Sequence, residues 1–143
     1  MKSILPLFSI LLLFSCQKSE KEAVAPEAKA SEWQTLFNGK DLTGWTPKIH
    51  HHEVGDNYAN TFRVVDGAIE VNYDGYGDFE DRFGHLFFEK PFSNFHLSWE
   101  YRFTEQFLKD APSYTYRNSG VMFHSQAPET ILKEQDWPIS VEY

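Results

Sequence analysis

Between residues 95 and 103, apolar and polar side chains alternate without a break, and this limits the possible fold more than any other stretch. Aromatic or aliphatic residues occupy every second position, and the four positions between them are polar. A period of two over this length is typical of a β-strand with one buried face and one polar face. The alternation therefore predicts a sheet whose polar face carries Glu100 and Arg102 side by side.

The other strand signals are short and separated by turns. Asp66-Gly67 favours a two-residue hairpin turn between apolar runs at 62–65 and 68–71. Several short strands with frequent turns predict an all-β sandwich. Further strands are predicted at 84–89, 120–124 and 139–143, a loop at 72–82, and one or two helical turns at 127–135. These strands are too few to close two sheets, so we expect a fragment of a longer protein, incomplete at the C-terminus.

The N-terminal residues have the layout of an export signal. A positive start at Met1-Lys2 precedes an apolar run at 4–14, which is too short to span a bilayer. The stretch 13–16 resembles a bacterial lipobox, and Cys16 is the only cysteine of the chain. We expect a lipoprotein signal peptide at 1–15, lipidation of Cys16, a flexible tether at 16–31 and a β-sandwich domain at 32–143. A plain signal peptide with an incidental cysteine is the alternative.

Charge and motif content exclude several classes of function. The formal net charge is −8, and no basic stripe is available to bind nucleic acid. The sequence contains no phosphate-binding glycine loop, no Gly-x-Ser-x-Gly nucleophile motif and no His-Glu-x-x-His zinc motif. No nucleic-acid partner is therefore expected.

Polar faces of three predicted strands offer candidate catalytic residues. Glu100 lies on the polar face of 95–103, Glu142 on that of 139–143, and His124 shares a face with Met122. If these strands pair, Glu100, His124 and Glu142 converge and supply a general acid and base, or ligands for a divalent metal. The alternative is a set of solvated cross-strand pairs that contribute little.

Two further features have simple explanations beside functional ones. His50-His51-His52 has no spacing that identifies a metal site, so a polar loop is favoured. Aromatic side chains in or near loops suit stacking against sugar rings, or they cap the ends of a sandwich. These aromatic residues are Trp45, Tyr58, Tyr76, Tyr114, Tyr116 and Trp137.

Five motifs in order resemble the 3-keto-disaccharide hydrolase domain family. The first, Leu36-Phe37-Asn38-Gly39-Lys40-Asp41-Leu42-Thr43-Gly44-Trp45, is similar to the start of that family's domain. The others are 62–67 (FRVVDG), 94–97 running into 100–102 (NFHL, EYR), 117–121 (RNSGV) and 135–142 (QDWPISVE). The resemblance covers residues 33–143.

The resemblance implies a fold, a reaction and a set of site residues. The fold is a jelly-roll sandwich like concanavalin A and laminin G domains, and the substrates are glycosides with a ketone at carbon 3. Elimination across carbons 1 and 2, followed by hydration, gives net hydrolysis. A divalent metal ion would suit the enolate charge as a cofactor, and the resemblance does not identify its ligands. The implied catalytic residues are Glu100, His124 and Glu142, and the implied substrate-binding residues are Arg102, Arg117, Asn118 and Trp137. His124 departs from the arginine that many members carry.

The expected protein is thus a carbohydrate-active enzyme held at the cell envelope by an N-terminal lipid. Its partners are a carbohydrate substrate and, through Cys16, the membrane. A non-catalytic carbohydrate-binding module of the same lectin-like fold is the alternative, because a fold does not determine a function.

Overall fold

The structure is a computed structural model that describes residues 33–143. The predicted signal peptide, Cys16 and the tether lie outside the described residues. Six strands form three antiparallel pairs, β1–β4, β2–β3 and β5–β6. The strands are β1 Trp45–Ile49, β2 Phe62–Val65, β3 Ala68–Val71, β4 Gly84–Phe88, β5 Met122–Phe123 and β6 Val141–Glu142.

The all-β prediction is confirmed for the described residues. Their only helical segments are single 3-10 turns at Tyr58–Asn60, Ser113–Thr115 and Pro128–Thr130. No helix within 33–143 has the length and apolarity needed to cross a membrane. Short antiparallel strand pairs of this kind are compatible with a jelly-roll-like domain.

The β2–β3 hairpin forms at the predicted residues. Val65 pairs with Ala68 across the turn, and Phe62 pairs with Val71 at the open end. Asp66 and Gly67 both have positive φ, 50° and 77°, which is the backbone conformation that an Asp-Gly hairpin turn requires. The turn residues therefore set the register of this hairpin.

The β1–β4 pair joins distant segments of the chain and leads into the core. Ile49 pairs with Gly84 at one end of this ribbon. A Cβ on Gly84 would lie 3.3 Å from the ring of Phe62 and 3.5 Å from Ile49 Cγ1, so the missing side chain lets β2 pack against β1–β4. Ile49 and Phe62 are buried, and so are Phe79 and Ile131.

The strand predicted at 95–103 is absent, which is the main correction to the sequence analysis. Every residue of this segment is exposed, and none lies in a strand. Within 33–143, no backbone hydrogen bond joins the segment to another one. An alternating sequence becomes a strand only when a neighbour accepts its backbone hydrogen bonds. Here no described segment does so.

The remaining strand predictions are correct in place and differ in extent. The predicted strands 120–124 and 139–143 shorten to β5 and β6, which pair with each other. The strand at 84–89 and the loop at 72–82 are confirmed, as is a single helical turn within 127–135. β1 was not predicted, because Pro47 and Lys48 interrupt its apolar pattern.

Candidate active site

Glu142 is the predicted catalytic residue whose surroundings are best defined. It lies on β6 directly opposite Met122 of β5, so the two side chains project from the same face. Val121 and Tyr143 extend the pair through two backbone hydrogen bonds of 2.9 and 3.0 Å. A Cβ on Gly120 would lie 3.0 Å from Glu142 Oε1, so the chain at Gly120 passes close to the carboxylate.

His124 does not follow the alternation that placed it beside Met122. β5 ends at Phe123, and His124 has a φ of 54°. A left-handed residue turns the backbone away from the extended path, so a period of two no longer determines the direction of this side chain. His124 is exposed, and its ring lies 5.9 Å from that of Phe123.

The other predicted residues lie on exposed segments. Glu100 and Arg102 belong to the unpaired 95–103 segment. Arg117 forms an ion pair with Glu105. The Asn118 amide Nδ2 donates to the Tyr114 carbonyl at 3.1 Å. None of these contacts tests substrate binding, so the role of each residue remains a prediction.

Glu100, His124 and Glu142 could share a metal ion only if their ligand atoms lay close together. Within 33–143, one group of three His or acidic side chains has ligand atoms within 4.8 Å of one another, and it comprises His50, His51 and Glu134. Glu100, His124 and Glu142 do not form such a group. No catalytic step is therefore assigned to a metal at those three residues.

His85 is a functional candidate that the sequence analysis missed. It is the second residue of β4 and is partly buried. Its Nε2 lies 2.8 Å from the backbone carbonyl oxygen of Asp136. A carbonyl only accepts hydrogen bonds, so in the neutral ring Nε2 carries the proton and Nδ1 keeps a free lone pair. An imidazole held in this tautomer can act as a base through Nδ1.

Burial and neighbouring charges shift the pKa of His85. Burial lowers the pKa of His85 below its ordinary value, and the hydrogen bond to the Asp136 carbonyl opposes part of that shift. The positive charge of Lys48 lowers the pKa further, whereas the carboxylates of Glu142 and Asp136 raise it. A pKa lowered from its ordinary value favours the neutral imidazole near pH 7, and the charge of Glu142 favours the protonated form.

Trp137, a predicted sugar-stacking residue, lies beside His85. Its ring centroid lies 5.3 Å from that of His85 and 4.7 Å from that of Phe83. The side chain is 42% exposed, so one part of the indole packs on the protein and another part is open to a ligand. Flat, partly exposed indole faces suit the apolar faces of sugar rings.

Lys48 supports this arrangement from the neighbouring strand. It pairs directly with His85 across the β1–β4 ribbon, so both side chains project from one face. Only 1% of Lys48 is exposed. Its ammonium donates to the carbonyls of Ile49 at 3.0 Å and Lys133 at 3.3 Å. Burial lowers the pKa of Lys48, and the charges of Glu53 and Glu134 oppose that effect.

The sequence contained only part of the signal needed to find His85. The strand at 84–89 was predicted, but a single histidine in a strand does not reveal its partners. The Asp136 carbonyl is 51 residues away along the chain. The cross-strand neighbour Lys48 lies in β1, a strand that was not predicted at all.

An open groove of about 280 Å³ lies elsewhere in the described residues and is lined by none of the predicted site residues. Its walls are polar and acidic as well as apolar, and they include neither His85 nor Trp137. The lining residues are Tyr73, Asp74, Glu105, Gln106, Phe107 and Leu108.

Comparison with known proteins identifies the family of this domain. Residues 32–143 match the family model described as the 3-keto-alpha-glucoside-1,2-lyase-like domain. Neither the curated proteins nor the solved structures contain a match to this chain. The family match covers most of the sequence and contains every site residue named in this subsection. The chain belongs to the 3-keto-alpha-glucoside-1,2-lyase-like family, a family of carbohydrate-active enzymes.

Proposed function

We propose that this domain cleaves glycosides whose sugar carries a ketone at carbon 3, by elimination across carbons 1 and 2. The observation that carries the proposal is the His85 ring, whose Nε2 lies 2.8 Å from the Asp136 carbonyl and whose centroid lies 5.3 Å from that of the partly exposed Trp137. A ketone at carbon 3 acidifies the hydrogen on carbon 2. A neutral imidazole is a suitable base for such a proton.

In the proposed first step, Nδ1 of His85 takes the proton from carbon 2. The electron pair of the C2–H bond passes to the ketone oxygen as an enolate. The enolate then forms the C1–C2 double bond and breaks the bond between carbon 1 and the glycosidic oxygen. The carboxylate of Glu142 and the Asp136 carbonyl stabilise the imidazolium that results.

In the second step, the departing oxygen needs a proton. The His85 imidazolium is a suitable donor, because it returns to the neutral form that its surroundings favour. Water can then add across the C1–C2 double bond, which makes the net reaction a hydrolysis. Trp137 would hold the sugar ring by stacking during both steps.

The other site residues retain their predicted roles within this proposal. Because His85 acts as both base and acid here, the catalytic roles of Glu100 and His124 remain predictions from the sequence alone. Arg102, Arg117 and Asn118 remain candidate contacts to substrate hydroxyls or to the enolate oxygen. Attachment to the cell envelope through a lipid on Cys16 is likewise proposed. It would place the domain where extracellular glycosides arrive.

The test is incubation of the full chain with a 3-keto-α-disaccharide in D₂O, followed by NMR. The expected result is loss of the carbon-2 hydrogen signal, release of the second sugar and an unsaturated sugar product. His85→Asn should slow both proton loss and cleavage by about 100-fold to 10,000-fold. His96→Asn is the matched control, because His96 is an exposed histidine on the 95–103 segment.

Two outcomes would contradict the proposal. Full activity of His85→Asn would remove the assigned base. Saturable sugar binding by the wild-type chain without any turnover would identify a binding module, in which Trp137 contributes affinity and no residue performs chemistry.

A further inference from the structure

The loop after β1 brings two histidines against a carboxylate from a distant part of the chain. His50 and His51 follow directly on Ile49, and Glu134 lies 83 residues beyond His51. His51 Nδ1 is 2.5 Å from Glu134 Oε2. One ligand-type atom of each of the three side chains lies within 4.8 Å of the others. We propose that His50, His51 and Glu134 bind a divalent transition-metal ion.

The backbone holds the two loops together independently of these side chains. The amide of His51 donates to the Lys133 carbonyl at 3.0 Å. The buried ammonium of Lys48 donates to that same carbonyl and to the carbonyl of Ile49. The loop that carries Glu134 is thus fixed to the end of β1, and the three side chains start from defined positions.

The orientation of the His50 ring leaves one nitrogen available as a ligand. His50 Nδ1 lies 2.8 Å from the Asp81 carbonyl oxygen, so Nδ1 carries the proton and Nε2 has a free lone pair. Metal-binding histidines commonly donate their other ring N–H to a carbonyl in this way, which fixes ring orientation and tautomer. The rings of His50 and His51 are stacked, with centroids 3.7 Å apart and an angle of 23°.

The ligand types select the class of metal. Two imidazoles and one carboxylate are borderline ligands that suit Zn²⁺ and its neighbours in the first transition row, whereas Ca²⁺ and Mg²⁺ prefer oxygen ligands alone. Zinc bonds to such ligands at about 2.0–2.2 Å. The three side chains would have to rotate closer together to reach these distances around one ion. Three protein ligands leave a fourth position for water.

The neighbouring histidine provides a matched control. His52 Nδ1 pairs with Asp56 at 2.8 Å, and its ring packs 4.4 Å from that of Tyr58. His52 is therefore part of the same histidine triple but not of the cluster. A site that depended only on local histidine content would use His52 as readily as His51.

The test is titration of the full chain with ZnCl₂, in competition with a chromophoric chelator, followed by substitution with Co²⁺. We expect one ion per chain and a visible Co²⁺ spectrum typical of four-coordinate nitrogen and oxygen ligands. His51→Ala and Glu134→Gln should each weaken Zn²⁺ binding by at least tenfold, and His52→Ala should change it less than threefold. Zinc should also raise the thermal midpoint of the wild type but not of Glu134→Gln.

Three results would overturn the site. They are no Zn²⁺ binding, an equal loss in His52→Ala and His51→Ala, or retention of affinity in a folded Glu134→Gln variant. Circular dichroism of each variant shows whether it is folded. These measurements need no substrate, so the metal site stands or falls independently of the proposed lyase activity.

Discussion

β4 and the 95–103 segment show how far a strand depends on its partner. The 95–103 segment has the more regular alternation, yet all its residues are exposed and no described segment pairs with it. β4 has a weaker pattern, yet it pairs with β1 over five residues and carries a partly buried histidine. Periodicity indicates which face of a strand would be buried, and only a partner provides the hydrogen bonds that form the strand.

This difference also separates two candidate locations for the chemistry. Glu100 and Arg102 lie on the unpaired segment, where solvent screens their charges. His85 lies on the paired strand, where the Asp136 carbonyl defines its tautomer. Burial lowers the pKa of His85 and the charge of Lys48 lowers it further, against the opposing effects of that carbonyl and of Glu142. Groups in partly buried, charge-lined positions are the better candidates for acid–base catalysis.

The largest expected effect compares the two regions by activity. His85→Asn should reduce turnover of a 3-keto-disaccharide by about 100-fold to 10,000-fold, because it removes the proposed base. Glu100→Gln should reduce turnover by less than about tenfold, because no described group activates that carboxylate. Rates from both variants under identical conditions decide between the regions. A greater loss in Glu100→Gln would move the chemistry to the 95–103 segment.

The next effect compares the regions by stability. Ile49→Ala should lower the free energy of unfolding by about 2–5 kcal/mol, because Ile49 is fully buried (0% exposed) at the end of β1. Leu97→Ala should change that free energy by about 0.5 kcal/mol or less, because Leu97 is 38% exposed. Urea unfolding curves measure both. Similar losses would show that residue 97 is buried in solution.

A smaller effect measures how much the Asp66-Gly67 turn contributes to stability. This turn joins β2 and β3, which are adjacent in sequence. Gly67→Ala should destabilise the hairpin by about 1 kcal/mol, because Gly67 has a φ of 77° that alanine adopts at a cost. Gly77→Ala is the control, since Gly77 has no such φ and a Cβ there meets no atom within 4 Å. Equal urea midpoints for the two variants would contradict the turn's role.

The smallest effect is a pH dependence of stability that should follow His85. The pKa of His85 is lowered in the folded state relative to about 6.5 in the unfolded chain. Below pH 6.5 the unfolded chain binds the proton that the folded one does not, so stability falls as the pH falls. His85→Asn should reduce this slope between pH 6.5 and 5. Thermal midpoints across that range test it, and an unchanged slope in His85→Asn would refute the assignment.

The parts of the fold that sequence could predict are those determined by neighbours along the chain. Asp66-Gly67 encodes its turn locally, so the β2–β3 hairpin was correct in bounds and register. Glu142 and Trp137 lie in segments whose motifs resembled the family. His85 could not be ranked above other histidines, because its tautomer depends on a carbonyl 51 residues away. His50 and His51 looked like a polar loop for the same reason, since Glu134 is remote in sequence.

Amide hydrogen exchange of the two regions is the most direct test of the account, because it reports which backbone N–H groups have partners. The account predicts that amides of β1 and β4 that bond across the ribbon exchange slowly, whereas amides at 95–103 exchange at rates near those of an unstructured peptide. Slow exchange at alternate amides of 95–103, equal to that of β4, would contradict it. That result would show that the segment has found a strand partner in solution.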